Sequence, residues 1–313
     1  MSEMEKTEQE KFQPAYLSMG RAEFKLRVRE AMSLLAPCRL CPRKCGVDRL
    51  KGEKGVCKAG AHPEVSSFNL HRGEEPPLSG WRGSGAIFFT HCSLRCVFCQ
   101  NYPISQLGHG NDTDAGGLSE MMLDLQQGGA HNINFVTPSH MVPWIIEAVA
   151  LAKERGLKLP LVYNASGYDS LEEIRLLDGI IDIYLPDMKY NDNDSAKKFS
   201  NAPDYVEVNR AAIKEMHRQV GDLVTDETGI AMRGLIIRHL VLPHGHAGTG
   251  GVMEFIAQEI SKNTAISLMS QYFPAHRVFE FAEMSRRISQ GEYALAEQAM
   301  ENAGLTEGWR QGI

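Results

Sequence analysis

Six short apolar runs recur along the central and C-terminal parts of the chain, and stretches with helical spacing separate them. The runs are rich in β-branched and aromatic residues and are bounded by turn-forming residues, which is typical of buried strands. They cover residues 86–90, 132–136, 159–163, 180–185, 234–242 and 265–273. Strands that alternate with helices pair in parallel through right-handed crossovers, so this pattern predicts an α/β domain.

The intervening stretches carry the usual signals for the start of a helix. Ser119 is a candidate N-cap, Pro143 occupies a preferred first-turn position, and a serine caps the stretch 170–177. The predicted helices cover residues 22–36, 118–127, 142–155, 170–177, 204–220, 251–262 and 287–303. Six βα units are too few for a closed eight-stranded barrel. We therefore predict a partial (β/α)6 barrel of the TIM type, with a doubly wound sheet as the alternative.

Each predicted strand ends in a compact group of polar or turn-forming residues. Because parallel α/β folds build their sites at the carboxyl ends of strands, we expect these groups to share one site. The groups are Thr90-His91-Cys92, Thr137-Pro138-Ser139-His140, Asn164-Ala165-Ser166-Gly167, Pro186-Asp187-Met188-Lys189, Pro243-His244 and Pro274.

Length and composition narrow the class of protein. The chain has 313 residues, 43% of them hydrophobic, which is enough for one large domain with an appended module. Its net charge of −6 argues against a basic nucleic-acid-binding face. The first 13 residues lack the apolar core of a signal peptide, and no run of about 18 apolar residues occurs. We expect a cytoplasmic protein that does not associate with a membrane.

All seven cysteines lie between Cys38 and Cys99, and they form two groups. An odd number in so short a segment fits poorly with a secreted disulfide framework and is more typical of metal ligands. Cys92, Cys96 and Cys99 follow the first predicted strand with the spacing C-x3-C-x2-C. Three thiolates can hold three irons of a [4Fe–4S] cluster and leave the fourth iron open. The alternatives are a zinc site completed by His91 and three unrelated buried thiols.

The second cysteine group precedes the first predicted strand. Four thiolates suit either zinc or a second [4Fe–4S] cluster, and the spacing leaves both open. Nearby lysines would offset the charge of the thiolates. The ligands are Cys38, Cys41, Cys45 and Cys57, and the lysines are Lys44, Lys51, Lys54 and Lys58.

We call residues 92–99 the cysteine loop. With Phe98 before its last cysteine, this loop resembles that of the radical SAM superfamily. More narrowly, the segments GSGAIFFTHCSLRCVFCQN, YNASGY, IYLPDMKY and RHLVLP resemble proteins similar to pyruvate formate-lyase activating enzyme. The resemblance spans about residues 38–274. It implies that Cys92, Cys96 and Cys99 hold a [4Fe–4S] cluster whose open iron binds S-adenosylmethionine (SAM). It also implies reductive cleavage of SAM to a 5′-deoxyadenosyl radical, which abstracts a hydrogen atom.

The same resemblance suggests residues that bind SAM. Asn164 and Ser166 stand where activating enzymes have an Asp-Thr-Asn-Gly type segment, and Asp187 and Lys189 match an Asp-Leu-Lys type segment. Lys189 is expected to pair with the SAM carboxylate, and Asp187 to hold a cation or the substrate backbone.

The second predicted strand departs from the superfamily pattern. Many members carry Gly-Gly-Glu there, whereas this chain has Thr137-Pro138-Ser139-His140. Thr137 and Ser139 could supply oxygens, and His140 could face the substrate. Of the other histidines, His239 fits a core position, and His244 and His246 lie either near the ligands or in an ordinary polar loop.

Together these features predict a radical SAM enzyme, an oxidoreductase of the activating-enzyme type whose partner would be a glycyl-radical-type protein. An electron donor such as flavodoxin or ferredoxin is expected. The alternatives are an iron–sulfur or metal-binding protein that does not cleave SAM, and a radical SAM enzyme acting on a small molecule or, against the acidic pI, on RNA. For a small-molecule enzyme, residues 275–313 should close the barrel mouth.

The expected organisation along the chain has four parts. They are a tail and helix over 1–36, a four-cysteine metal module over 37–70, the radical SAM core over 71–274 and a helical cap over 275–313. The loop at Gly73-Glu74-Glu75-Pro76-Pro77 is interpreted as a connecting turn, or else as a lid or docking surface.

Overall fold

The structure, a computed structural model, describes residues 12–312. Ten strands belong to one sheet, and the central ones lie where the apolar runs predict them. They are β1 (Glu64–His71), β2 (Ser84–Phe89), β3 (Asn111–Asp112), β4 (Ile133–Val136), β5 (Leu161–Ala165), β6 (Ile183–Pro186), β7 (Val224–Thr225), β8 (Ala231–Leu240), β9 (Ala265–Met269) and β10 (Gly308–Arg310).

The strand order is β10-β9-β8-β6-β5-β4-β2-β1-β3, with β7 paired to β8. From β2 to β10 every pair along this path is parallel, whereas β1 pairs with β2 and β3 in antiparallel fashion. The six predicted strands correspond to β2, β4, β5, β6, β8 and β9, which lie side by side in the sheet. The α/β class and the parallel pairing are thus confirmed, and the partial-barrel shape stays a prediction.

Ten α-helices accompany this sheet within residues 12–312. They are α1 (Arg21–Ser33), α2 (Pro76–Ser79), α3 (Tyr102–Ser105), α4 (Ala115–Gln127), α5 (Val142–Glu154), α6 (Leu171–Leu176), α7 (Asn193–Ser200), α8 (Tyr205–Val220), α9 (Thr249–Glu259) and α10 (Gln290–Asn302). Ser170 caps α6 as predicted, accepting from the Glu173 N–H. Ser119 is not a cap, because α4 begins about a turn earlier, at Ala115, with Asp114 as its N-cap. Ser119 is buried within the helix. Within residues 12–312 no helix is long and apolar enough to cross a bilayer.

Three segments differ from the sequence-based expectation: β1, β10 and the residues before α1. β1 lies within the range assigned to the four-cysteine module, yet it joins the main sheet beside β2. The expected helical cap includes α10, but it also contributes β10, which pairs with β9. The expected N-terminal tail falls partly on residues 1–11, outside the described residues. Beyond them Tyr16 is fully buried, and the Ala15 N–H donates to Asp182 at 2.7 Å, so this part is packed rather than loose.

The two faces of the sheet are covered differently. The long helices pack on one face, in the main core. On the other face Leu78 of α2 packs among buried side chains of β5, β6, β8 and β9, which are Val162, Ile183, Leu185, Ala231, Ile236 and Ala265. The carbonyl of Leu78 accepts a hydrogen bond from Asn132 at 2.8 Å. We call residues 72–83, which hold α2, the plug segment. Its packing fixes where Glu74 and Glu75 lie.

Candidate functional site

A cavity of about 740 Å³ lies where the carboxyl ends of the central strands meet. This volume is ample for a nucleoside-sized ligand. Its walls carry groups from six parallel strands and from the plug segment. The residues that line it include Glu74, Glu75, Cys92, Cys96, Cys99, Thr137, Asn164, Ser166, Asp187, Lys189, Arg238, Trp309, Arg310 and Gln311. A groove of about 850 Å³ between α1 and α5 contains none of the predicted site residues.

The cysteine loop is held in place through its backbone. The N–H groups of Arg95 and Val97 donate to the carbonyls of Ser200 and Phe199 at the end of α7, at 3.1 and 2.8 Å. The Val97 carbonyl accepts from the Arg277 N–H at 2.9 Å, on the opposite side of the loop. These bonds orient the loop without using its side chains, so the three thiols are left to face a ligand.

Each of the three sulfurs has a hydrogen-bond partner. The Leu94 N–H donates to Cys92 Sγ at 3.4 Å, the Ser200 hydroxyl lies 3.0 Å from Cys96 Sγ, and Ser105 Oγ lies 3.0 Å from Cys99 Sγ. Burial raises the pKa of Cys92 to about 12 and that of Cys96 to about 11, and neighbouring thiols add to the effect. Lys189 acts in the opposite direction on both.

These properties fit a cluster better than free thiols. A buried thiolate is stable only when a cation replaces the proton, and iron does so. Hydrogen bonds to the sulfurs are the usual means of tuning an iron–sulfur centre. Among residues 12–312 no three Cys, His, Asp or Glu side chains lie close enough together to coordinate a single metal ion. The thiolates of a cubane cluster bind different irons, so this arrangement is not required of them.

The four residues predicted to bind SAM lie on the same cavity as these thiols. Asp187 joins two cations, since Lys189 Nζ lies 2.5 Å from Oδ2 and Arg238 Nε lies 2.9 Å from Oδ1. Arg238 also donates to Asn164 Oδ1 at 2.6 Å. Ser166 is half-buried on the wall. Burial alone would raise the pKa of Asp187, but Arg238 and Lys189 hold it below its usual value.

Gly167 lets the loop after β5 pass close to Asp187, which follows β6, and to Asn209 of α8. Its φ is +71°, and a Cβ would lie 2.2 Å from Asn209 Nδ2 and 2.3 Å from the Asp187 carbonyl. Only glycine fits both the conformation and the space.

No protein-family model matches this chain. The chain is 30% identical over 287 residues to uncharacterized protein MJ0674 of Methanocaldococcus jannaschii. The aligned region covers 90% of this chain and 79% of that protein. It belongs to the family of this archaeal protein.

Two solved structures show a weaker likeness. A radical SAM methyltransferase from Sphaerobacter thermophilus is 16% identical, with a TM-score of 0.44 over 71% of this chain and 66% of that one. TYW1 with a lysine-pyruvate adduct bound is 14% identical, with a TM-score of 0.43 over 69% of this chain and 73% of that one. Neither likeness assigns an activity to this family member.

Four side chains considered from the sequence do not reach the cavity. His140 is buried below it, where Nε2 lies 2.7 Å from the Thr90 carbonyl, and burial lowers its pKa to about 3. Ser139 is equally buried and does not line the cavity. His244 and His246 follow a turn that leads away from the cavity toward α7 and α10. Of the predicted group Thr137-Pro138-Ser139-His140 that follows β4, only Thr137 lines the cavity.

Besides the exposed Arg310, three charged residues that line the cavity were not predicted as site residues. Arg238 directly follows a buried apolar stretch of β8, residues 235–237. An arginine there is a usable signal because its burial requires partners. Glu74 and Glu75 come from the segment interpreted as a connecting turn. Glu74 Oε2 lies 3.4 Å from Asn164 Nδ2 and 3.9 Å from Arg238. Nothing in the local sequence shows that a turn will fold against the sheet.

The four-cysteine segment packs directly against the cysteine loop. Arg43 Nε donates to the carbonyl of Ser93 at 2.8 Å, and Arg95 donates to the carbonyl of Val56. Arg43, shortly after Cys41, thus binds the cysteine loop, and Arg95, just before Cys96, binds the four-cysteine segment.

Within the four-cysteine segment the thiols influence one another. Burial is the main cause that raises the pKa of Cys38 and of Cys41, and the neighbouring Cys57 adds to it. Those two thiolates therefore also need a cation. The Val56 N–H lies 3.3 Å from Cys45 Sγ. The choice between zinc and iron–sulfur stays a prediction.

A buried acid pair behind the site gives a testable pH dependence. The Tyr163 hydroxyl lies 3.0 Å from Asp169 Oδ1 and 2.8 Å from Glu173 Oε1. One hydroxyl has one proton to donate, so one carboxyl of the pair must itself be protonated. Burial raises the pKa of Asp169 to about 6 and that of Glu173 well above its usual value.

Because both folded-state pKa values are raised, the pair contributes stability at low pH that is lost as pH rises through about 6 and beyond. Glu173→Gln keeps the shape and stays neutral, and its amide can donate to Tyr163. We expect it to flatten the decline in the free energy of unfolding between pH 5 and pH 8, measured by urea denaturation. Glu172→Gln, at an exposed neighbouring position, should follow the wild-type curve. Parallel curves for all three proteins would contradict the assignment.

Proposed function

We propose that this protein is a radical SAM enzyme in which Cys92, Cys96 and Cys99 hold a [4Fe–4S] cluster. The observation that carries the proposal is that the C-x3-C-x2-C thiols share one cavity with the Lys189–Asp187–Arg238 charge network. When bound, the cluster would supply the electron that cleaves SAM to methionine and a 5′-deoxyadenosyl radical.

The chain's own residues would bind and orient SAM. Lys189 has three donor hydrogens and spends one on Asp187, so it can also bind the SAM carboxylate. Asn164 and Ser166 offer hydrogen-bonding groups on the same wall. Asp187 would fix both Lys189 and Arg238, because it bonds to each.

The substrate is a finer part of the proposal. By the resemblance, it would be a glycine in a partner enzyme, with flavodoxin or ferredoxin as the electron donor. A specific observation favours a second candidate, action on a small molecule. Trp309, Arg310 and Gln311 line the cavity, and they belong to residues 275–313, the range expected to close the barrel mouth for a small substrate. The four-cysteine site would hold zinc or a second cluster in either case.

The test is an assay for 5′-deoxyadenosine after anaerobic reconstitution with iron and sulfide, dithionite reduction and addition of SAM. We expect product from the wild type, none from Cys96→Ala, and product from Ser93→Ala, which changes the same loop without removing a sulfur. A well-formed, reducible cluster that gives no product and no spectral change with SAM would instead indicate an electron-transfer or structural role.

A further inference from the structure

A buried serine from outside the cysteine loop contacts one of the loop's sulfurs. Ser200, the last residue of α7, is fully buried, and its hydroxyl donates to Cys96 Sγ at 3.0 Å. The Ser200 carbonyl accepts from the Arg95 N–H at 3.1 Å, so this residue contacts the loop at two points. The position of the hydroxyl relative to the sulfur is therefore set by the backbone as well as by the side chain.

The hydroxyl proton of Ser200 has a defined direction once metal is bound. Tyr190, itself 1% exposed, places its hydroxyl oxygen 2.7 Å from Ser200 Oγ. A thiolate that binds iron carries no proton and can only accept, so Ser200 donates to Cys96 Sγ. Since Ser200 has one proton to give, the hydrogen bond between the two hydroxyls is donated by Tyr190. The two hydroxyls thus form a chain of donors that ends on the sulfur.

A second chain of donors ends on Cys99. Ser105 Oγ lies 3.0 Å from Cys99 Sγ, and the Gln106 side-chain amide donates to the same Ser105 oxygen at 3.3 Å. Arg95 orients the amide of Gln106, because it donates to the Gln106 Oε1 at 2.9 Å. The amide nitrogen can only donate, so the Ser105 proton is left for the sulfur.

These hydroxyls act on a site where added negative charge is costly. Cys92 and Cys96 are both buried, and the sulfur of Cys92 accepts only from a backbone group among the described residues, the Leu94 N–H. An electron that enters a cluster on these sulfurs adds one negative charge, which burial disfavours. Hydroxyl dipoles that point at the sulfurs stabilise that charge.

We propose that Ser200 and Ser105 are positioning residues that raise the reduction potential of the cluster through the two sulfurs they contact. Tyr190 and Gln106 direct the serine protons toward those sulfurs. This role rests on the proposed function, because it requires a [4Fe–4S] cluster on the three cysteines. The reduction takes one electron from an external donor and moves no proton, since both serines keep theirs.

Redox titration of the anaerobically reconstituted protein with dithionite, followed by electron paramagnetic resonance, measures the effect. The signal of this cluster is the one that Cys96→Ala lacks, which separates it from any centre in the four-cysteine segment. At the wild-type midpoint, Ser200→Ala and Ser105→Ala should each lower the ratio of reduced to oxidised cluster by about fivefold or more, because each loses a hydrogen bond that is stronger to the more negative, reduced state.

The matched control is Ser93→Ala. Ser93 is buried in the same loop, and within residues 12–312 its hydroxyl has no hydrogen-bond partner. The ratio of reduced to oxidised cluster should therefore match that of the wild type.

Two further measurements separate the hydroxyl from its packing. Tyr190→Phe keeps the ring and removes the donor to Ser200, so the midpoint should fall in the same direction but by less. In D2O, pulsed electron–nuclear double resonance should detect an exchangeable deuteron close to the reduced cluster of the wild type. Its coupling should weaken in Ser200→Ala and stay unchanged in Ser93→Ala.

Midpoints of Ser200→Ala and Ser105→Ala that equal that of Ser93→Ala would overturn the proposal. If the alanine variants do not hold the cluster, Tyr190→Phe decides, and a midpoint equal to that of the wild type overturns the proposal. A wild type that holds no cluster on the three cysteines would contradict the proposed function and this role together. A reducible cluster that does not cleave SAM would contradict the proposed function alone, because the midpoints can still be compared.

Discussion

Replacing Arg238 with methionine is expected to lower the free energy of unfolding by about 3–5 kcal/mol, the usual cost of removing one partner from a buried ion pair. The arginine lies near the carboxyl end of β8 and bonds to Asp187 at 2.9 Å and Asn164 at 2.6 Å. Its loss leaves Asp187 with Lys189 alone and leaves Glu74 without its nearest cation. Urea denaturation followed by circular dichroism measures the effect.

Arg233→Met is the matched control, because Arg233 is an exposed arginine on the same strand. It should cost well under half as much. Adding Glu74→Gln to Arg238→Met should recover part of the loss, since it removes one of the carboxylates left uncompensated. Equal effects for Arg238→Met and Arg233→Met would show that the network does not stabilise the fold.

The central strands could be predicted because burial on both faces leaves a continuous apolar run. β5 is buried at all five positions and β9 likewise, so their runs stand out from the polar segments around them. The edge strands give no such signal. β1 buries only Val65, with its other residues half-buried or exposed, and β10 has three residues. Their pairing depends on neighbours that are distant in sequence.

The candidate site was predictable as far as it lies directly after a strand. Cys92, Asn164, Asp187 and Lys189 follow or end strands, and the parallel pairing brings them to one cavity. Their assigned roles in binding the cluster and SAM stay predictions.

The rest of the site depends on tertiary packing. His140 points into the core, where the Thr90 carbonyl accepts a hydrogen bond from its ring. Glu74 and Glu75 reach the cavity only because Leu78 anchors the plug segment on the sheet. Neither arrangement has a local sequence signal.

The charge around the four-cysteine group shows the same difference between local and tertiary information. Lysines near the cysteines were expected to offset the thiolate charge, but Lys44, Lys51, Lys54 and Lys58 are all exposed. The buried cation is Arg49, which is 1% exposed and lowers the pKa of Cys38 against the effect of burial. Water screens the lysines more than it screens Arg49.

Arg49 also ties the four-cysteine segment to the core. Nε donates to the Gly60 carbonyl at 3.1 Å, Nη1 donates to the His140 carbonyl at 2.8 Å, and the guanidinium lies 5.1 Å from the centre of the Trp144 ring. Arg49→Met fills much of the same space but leaves both carbonyls without this donor. We expect the free energy of unfolding to fall by about 2–4 kcal/mol.

The loss should be local as well as global, because the Gly60 carbonyl belongs to the four-cysteine segment and the His140 carbonyl to the core. Hydrogen exchange of residues 44–58 should speed up more in Arg49→Met than that of the β5 and β6 backbone. Arg29→Met, at an exposed position on α1, should change neither exchange nor stability by more than about 0.5 kcal/mol. Uniform acceleration across the sheet would mean that Arg49 stabilises the whole fold rather than the docking of the four-cysteine segment. Unchanged exchange and stability would mean that the lysines and the thiols hold the segment without it.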